Sequence, residues 1–195
     1  MKQTNQFNKN LNKILNAQDA AEWLNQGKIL IHPTEGVWGI GCDAFNQSAV
    51  EKVNILKQRD PSKNFILLAP STQKALQYFQ PLNKQQIEFV SNNWPGHTTI
   101  IYGSTDKVPN YLKALNNTIA MRVSNHKPII NLLSIFNNLM VSTSANISNL
   151  PIPKKLEDIA EIFADPDVAF YYFENGKPKK PSSIIDLNSM EYIRE

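Results

Sequence analysis

The sequence is poor in residues that staple a fold or hold a metal. It has one cysteine, Cys42, among 195 residues. No disulfide can form within the chain, which fits a reducing compartment. Cys42 lies in Gly39-Ile40-Gly41-Cys42-Asp43 and reads as a small buried filler rather than a nucleophile. The three histidines, His32, His97 and His126, are far apart, and no Cys or His spacing matches a zinc site. No metal-binding residue is therefore expected, and His32 and His126 read as polar residues near loops. Long apolar runs are missing too, since no segment approaches the ~18 residues of a membrane span. Residues 1–16 are rich in Asn and Lys and lack the apolar stretch of a signal peptide. Phe7, Leu11, Ile14 and Leu15 have helical spacing instead. A soluble, cytoplasmic protein is expected. Charge of one sign is also scarce. With 20 basic against 17 acidic residues, the formal net charge is +3, which permits anionic ligands without defining a nucleic-acid surface.

What is present suits one domain over residues 1–195. The chain is 42% hydrophobic, and at this length roughly 70% of its unfolded surface should be buried without staples. Asn16 caps a helix running to Gln26, with Gly27 as its stop. Further helices are expected over 46–57, 71–79, 83–92, 128–136 and 156–163. Strands are expected over 28–31, 37–41, 65–69, 98–102, 119–123, 140–143, 168–173 and 183–187, the last of the chain. Strands and helices alternate, which predicts a twisted α/β sheet flanked by helices. In such sheets ligands bind where loops leave the strand ends.

Five polar clusters fall at such places. In His32-Pro33-Thr34-Glu35-Gly36-Val37-Trp38, Thr34 can hydrogen-bond a small polar ligand, or the segment is a Gly-rich turn with Trp38 in the core. Its spacing fits neither a Walker loop nor a dinucleotide fingerprint. The cations Lys57, Arg59 and Lys63 can surround a triphosphate, or cap a helix C-terminus and line a solvated loop. Arg122 interrupts an apolar strand, so it needs an anion: an internal carboxylate or that of a ligand. Ser142-Thr143-Ser144-Ala145-Asn146 places hydroxyls and an amide after a strand, either to grip ligand oxygens or to cap a turn. A serine-hydrolase elbow is absent. Ser182 and Ser183 follow the basic run 177–180 and can hold a ligand at a strand start.

In this order, the clusters resemble the threonylcarbamoyl-AMP synthase family, the YrdC-like proteins. The matching pieces are His32-Pro33-Thr34-Glu35 with Gly39-Ile40-Gly41-Cys42-Asp43, Lys57-Gln58-Arg59, Trp94-Pro95-Gly96, Ala120-Met121-Arg122-Val123, Ser142-Thr143-Ser144-Ala145-Asn146 and Ser182-Ser183-Ile184-Ile185-Asp186. The chain looks like the short, single-domain form. The resemblance implies a concave, positively lined cavity on the α/β sheet. It implies an enzyme, an L-threonylcarbamoyladenylate synthase, that joins L-threonine, bicarbonate and ATP and releases pyrophosphate. Mg²⁺ would be carried by ATP. A transferase complex would then place the product on a tRNA adenosine beside the anticodon, and weak tRNA binding is compatible with such a surface. By position, Lys57 and Arg59 would be catalytic. Arg59, Lys63, Thr118, Ser144 and Asn146 would hold ATP. Thr34, Arg122, Ser142 and Ser182 would hold threonine.

The chain departs from that pattern at several positions. Gly36 stands where relatives often carry Thr or another small residue, and Trp38 replaces a smaller aromatic. His97 and Thr98 replace Pro-Leu. Asp60 and Asn64 replace prolines, and Asn149 replaces a glycine. Asp60 is expected to weaken ATP binding through its charge. Two other readings remain open at this stage: an RNA-binding module and a carbamoyl transferase domain.

Overall fold

The computed structural model describes residues 13–178 and 180–195. The first helix, α1 (Ala17–Asn25), starts at Asn16, whose side chain accepts from the Asp19 amide, and ends before Gly27 at φ +73°. The amphipathic helix expected from Phe7 and Leu11 lies outside the described residues. Its last two positions are extended: Ile14 bridges Phe170 in parallel.

Six helices and nine strands alternate among the described residues. After α1 come β1 (Ile29–His32), β2 (Gly39–Asp43), α2 (Gln47–Lys57), β3 (Ile66–Leu68), α3 (Thr72–Leu76) and α4 (Lys84–Asn93). Then follow β4 (Thr98–Gly103), β5 (Thr118–Arg122), α5 (Lys127–Phe136), β6 (Met140–Ser144), α6 (Leu156–Ile162), β7 (Val168–Phe170), β8 (Ser183–Asp186) and β9 (Glu191–Arg194). Local chemistry sets most helix starts. Asn46 and Ser71 accept from the amides of Ala49 and Lys74, and Asn83 with Gln86 forms a reciprocal capping box.

Three elements differ from expectation; the strand expected over 168–173 stops at Phe170. The helix expected over 71–79 stops at Leu76, because Phe79 leaves it to bridge Ser104 and pack on Trp94 and Tyr102. The expected last strand is followed by another, β9, which pairs with β8. All four β9 residues are exposed, so no buried period marks them in the sequence.

The strands form one mixed sheet in the order β7-β1-β2-β6-β3-β5-β4-β8-β9. The pairs β7–β1, β3–β5 and β4–β8 are parallel, and the others are antiparallel. Side chains alternate across the sheet. Ile29, Ile31, Ile40, Leu67, Met121 and Val141 belong to the larger apolar layer. Their neighbours Leu30, Leu68 and Met140 join a smaller layer under α1 and α5. No described helix is long and apolar enough to cross a membrane.

Candidate active site

The smaller layer covers only part of its face. Beyond α1 and α5, the same alternation turns polar and small residues into a cavity of about 270 Å³. Ser142 and Ser144 share a face of β6 with buried Met140, and Arg122 shares a face of β5 with Ala120. Pairing sets Gly39 beside Ser144 and Ile66 between Ser142 and Ala120. Six residues predicted from the sequence line this cavity: Thr34, Arg59, Arg122, Ser142, Ser144 and Ser182.

Four predicted residues lie outside the lining. Lys57, only 1% exposed, sits behind it. Its ammonium donates to the Ser144 carbonyl, to the Asn146 carbonyl at 2.7 Å and to Asn146 Oδ1 at 3.4 Å. Burial and the neighbouring Arg59 lower its pKa to about 7, while the oxygen acceptors favour the protonated form. Asn146 Oδ1 also accepts from Ser144 Oγ at 2.6 Å, and its amide donates to the Leu150 carbonyl. Lys57 and Asn146 therefore brace the loop that carries Ser144. Lys63 is exposed on the turn after Arg59. The Thr118 hydroxyl is donated to Asn116 Oδ1 at 2.7 Å.

The lining cations are anchored but not saturated. Arg59 Nη2 donates to the Asn64 carbonyl at 2.7 Å, and its guanidinium lies 4.8 Å from the Phe65 ring centre. Arg122, 4% exposed, has Nη2 3.5 Å from Glu35 Oε2 and Nη1 3.4 Å from His97 Nδ1. Nε of Arg59 and Nε of Arg122 are buried with no hydrogen-bond partner among the described residues. Burial pushes the Glu35 carboxyl up, but Arg122 and the Ser124 hydroxyl outweigh it and leave the pKa below the usual carboxylate value. Glu35 Oε1 accepts from Ser124 Oγ at 2.7 Å and from the Asn125 amide at 3.2 Å. The internal carboxylate that a buried arginine needs is thus present, and Nε of Arg122 still has no partner among the described residues.

The sequence reading missed Arg194. It ends β9, lines the cavity, and donates from Nε to the Ser182 carbonyl at 2.8 Å. Ser182 Oγ shares a 2.8 Å hydrogen bond with Thr99 Oγ1. The only sequence signal for Arg194 was a cation next to Tyr192 and Ile193, and it acquires meaning only through the β8–β9 pairing. No carboxylate is among the lining residues.

His32 and the two glycines of β2 form a second feature. The buried ring packs where a side chain at Gly39 would stand, since a Cβ there would lie 2.5 Å from its Cε1; a Cβ on Gly41 would instead collide with the Val141 carbonyl oxygen. Its Nδ1 lies 3.0 Å from the Pro33 carbonyl. Burial lowers its pKa to about 4.

The other departures are also placed. Asp60 is exposed and its Oδ1 accepts from the Ser62 amide, so its charge serves a turn in solvent. Asn149 has φ +66°, the left-handed region that asparagine tolerates better than most residues. Trp38 lines the cavity and stacks on Tyr172, with ring centres 5.8 Å apart. Cys42 is buried in the larger core, and burial pushes its thiol up. No group of three or more His, Cys, Asp or Glu that could hold a metal occurs among the described residues.

Comparison with known proteins adds the kinship. The sequence profile of the Sua5/YciO/YrdC family, described as telomere recombination, matches residues 22–195. The chain belongs to the Sua5/YciO/YrdC family. It is 36% identical over 188 residues to a threonylcarbamoyl-AMP synthase of Vibrio parahaemolyticus, covering 95% of this chain and 98% of that protein. It is 33% identical over 182 residues to one of Acinetobacter baumannii, covering 90% and 96%. Among solved structures, Escherichia coli YciO superposes with a TM-score of 0.81 at 25% identity, covering 92% of this chain and 88% of that one. Pyrococcus abyssi Sua5 complexed with L-threonine superposes at 0.81 and 24% identity, covering 88% and 51%. The mixed sheet flanked by helices is the fold of this family.

Proposed function

We propose that this chain is an L-threonylcarbamoyladenylate synthase, acting as a single domain on L-threonine, bicarbonate and ATP. The observation that carries the reading is one cavity lined by Arg59, Arg122, Arg194 and five hydroxyl-bearing residues, with no carboxylate among its lining residues. Such a surface suits ligands that bear a carboxylate and phosphates. The relatives of similar length named threonylcarbamoyl-AMP synthases support it.

In this reading the Arg122 guanidinium pairs with the threonine carboxylate, while Thr34, Ser142 and Ser182 bound the rest of the amino acid. Arg59 and Arg194 face the phosphates, the Ser144 hydroxyl oxygen accepts from the nucleotide while its hydrogen stays directed at Asn146, and Lys57 with Asn146 holds Ser144 in place. ATP is larger than the cavity, so Lys63 and Thr118 would meet the parts that extend beyond it. The threonine amine attacks carbon dioxide derived from bicarbonate, giving a carbamate and a proton. A carbamate oxygen attacks the α-phosphorus, the bond to the β-phosphate oxygen breaks, and pyrophosphate leaves. Mg²⁺ would enter on the triphosphate and neutralise part of its charge. No protein nucleophile is needed; the arginines offset phosphate charge and the cavity aligns the two ligands. The product is an activated carbamoyl group suited to a transferase that modifies tRNA.

The test is pyrophosphate release from MgATP and bicarbonate, with and without L-threonine, followed by the product's mass. Threonine-dependent release with a threonylcarbamoyl-AMP mass is expected. A folded, ATP-binding sample without turnover would overturn the reading.

A further inference from the structure

Arg122 is held by a chain of contacts that reaches the segment 180–182. His97 Nδ1 lies 3.4 Å from Arg122 Nη1, and His97 Nε2 lies 3.1 Å from the Lys180 carbonyl oxygen. These partners fix the ring's tautomer. A carbonyl only accepts, so Nε2 carries the hydrogen. A guanidinium only donates, so Nδ1 presents its lone pair. In this tautomer Nδ1 accepts from Arg122 and Nε2 donates to Lys180, and Glu35 Oε2 lies 4.0 Å from Nδ1.

The Lys180 carbonyl is seated by a second residue. It lies against Gly36, where any Cβ would collide with it. One backbone oxygen is thus admitted by a missing side chain and held by a ring N–H. Immediately after it come Pro181 and Ser182, both in the cavity lining. His97 itself is not in that lining, so any effect it has on a ligand passes through its neighbours.

We propose that His97 is a positioning residue for the amino-acid substrate. It sets the Arg122 guanidinium in register with the 180–182 segment, so that one ligand meets the cation and the Ser182 hydroxyl together. This rests on the assignment of Arg122 and Ser182 to the threonine end of the site.

Three variants of the full chain separate the two contacts. In His97→Leu both are lost. In His97→Asn the side-chain oxygen stands near the Nδ1 position, keeping an acceptor for Arg122 without the reach to Lys180. In His97→Gln the amide nitrogen reaches toward Lys180, while the acceptor beside Arg122 is lost. Each is read by KM for threonine, KM for ATP, kcat, and calorimetric threonine binding on samples shown to be folded by their melting temperature. For His97→Leu, threonine KM and Kd should rise on the order of tenfold, as loss of a hydrogen bond to a charged group allows. KM for ATP and kcat at saturating threonine should stay within about twofold. Asn and Gln should each restore part of the loss. An unchanged threonine KM in His97→Leu overturns the proposal. So does a loss spread equally over ATP KM and kcat, or full restoration by Asn or Gln alone. Failure of the functional reading looks different: the wild-type chain itself then neither binds threonine nor releases pyrophosphate in response to it, and the proposal falls with it.

Discussion

The two cations of Lys57-Gln58-Arg59 are two residues apart and have different tasks. Lys57 is enclosed and spends its ammonium on the loop that carries Ser144, whereas Arg59 lines the cavity. Lys57→Met should therefore destabilise the fold by about 3 kcal/mol, because it leaves carbonyl acceptors buried without a donor. Arg59→Ala should leave stability nearly unchanged and lower threonine-dependent turnover on the order of 100-fold. Urea titration and the pyrophosphate assay separate the two, and equal effects of both variants on stability would contradict the assignment. His32 gives a pH prediction. Its folded pKa of about 4 lies below the 6.5 of an exposed imidazole, so the unfolded chain binds more protons between those values. Its contribution is complete above about pH 6.5 and is lost as pH falls toward 4, amounting to about 3 kcal/mol. Urea titrations across that window should show a shallower loss on acidification in His32→Phe; identical slopes would refute the assignment. At this scale the sequence was legible in residue type more than in role. An arginine inside an apolar strand announced its need for an anion, but the sequence left an internal and a ligand carboxylate equal. Folding supplies Glu35 to Arg122 and still leaves Nε unpartnered, a result of side-chain reach that no spacing contains.

Elements that carry their own punctuation could be read in advance. Asn16, Asn46, Ser71 and Asn83 each accept from a backbone amide at a helix start, because a short polar side chain satisfies an otherwise orphaned donor wherever the helix packs. Strands buried on both faces, such as β1, announced themselves as apolar runs. The end of α3 and the existence of β9 were not legible. Phe79 leaves the helix for distant aromatic partners, and β9 is exposed along its whole length and exists through its hydrogen bonds to β8. Yet β9 delivers Arg194. Arg194→Ala should raise KM for ATP about tenfold, with a melting temperature within about 2 °C of wild type, since an exposed side chain at a sheet edge contributes little to stability. An unchanged ATP KM would remove Arg194 from the phosphate site.

The whole molecule is one sheet with two apolar layers, and that sheet is their common wall. Strands such as β1 and β3 place alternate residues in both layers, so neither layer can melt without removing the other's support. Thermal and urea unfolding should follow a single cooperative transition, coincident by fluorescence and circular dichroism; two separated transitions would show that the layers are independent. MgATP and threonine at about 100 times their Kd should raise the melting temperature by about 5 °C or more, since each binds only the folded cavity. By itself the sequence determined the alternation of helices and strands, most helix caps, the absence of an internal disulfide, and the ordered polar clusters that resemble one family. These are local properties, set by backbone propensity, hydrogen-bond chemistry and residue order. Only the tertiary structure decided which alternate strand positions face the cavity, that Lys57 lies behind Ser144, that Arg194 joins Arg59 and Arg122, and that His97 spans Arg122 and Lys180. Those facts depend on strand pairing and sheet coverage, which bring together groups as far apart in sequence as Thr34 and Arg194 and are fixed only when the whole core packs.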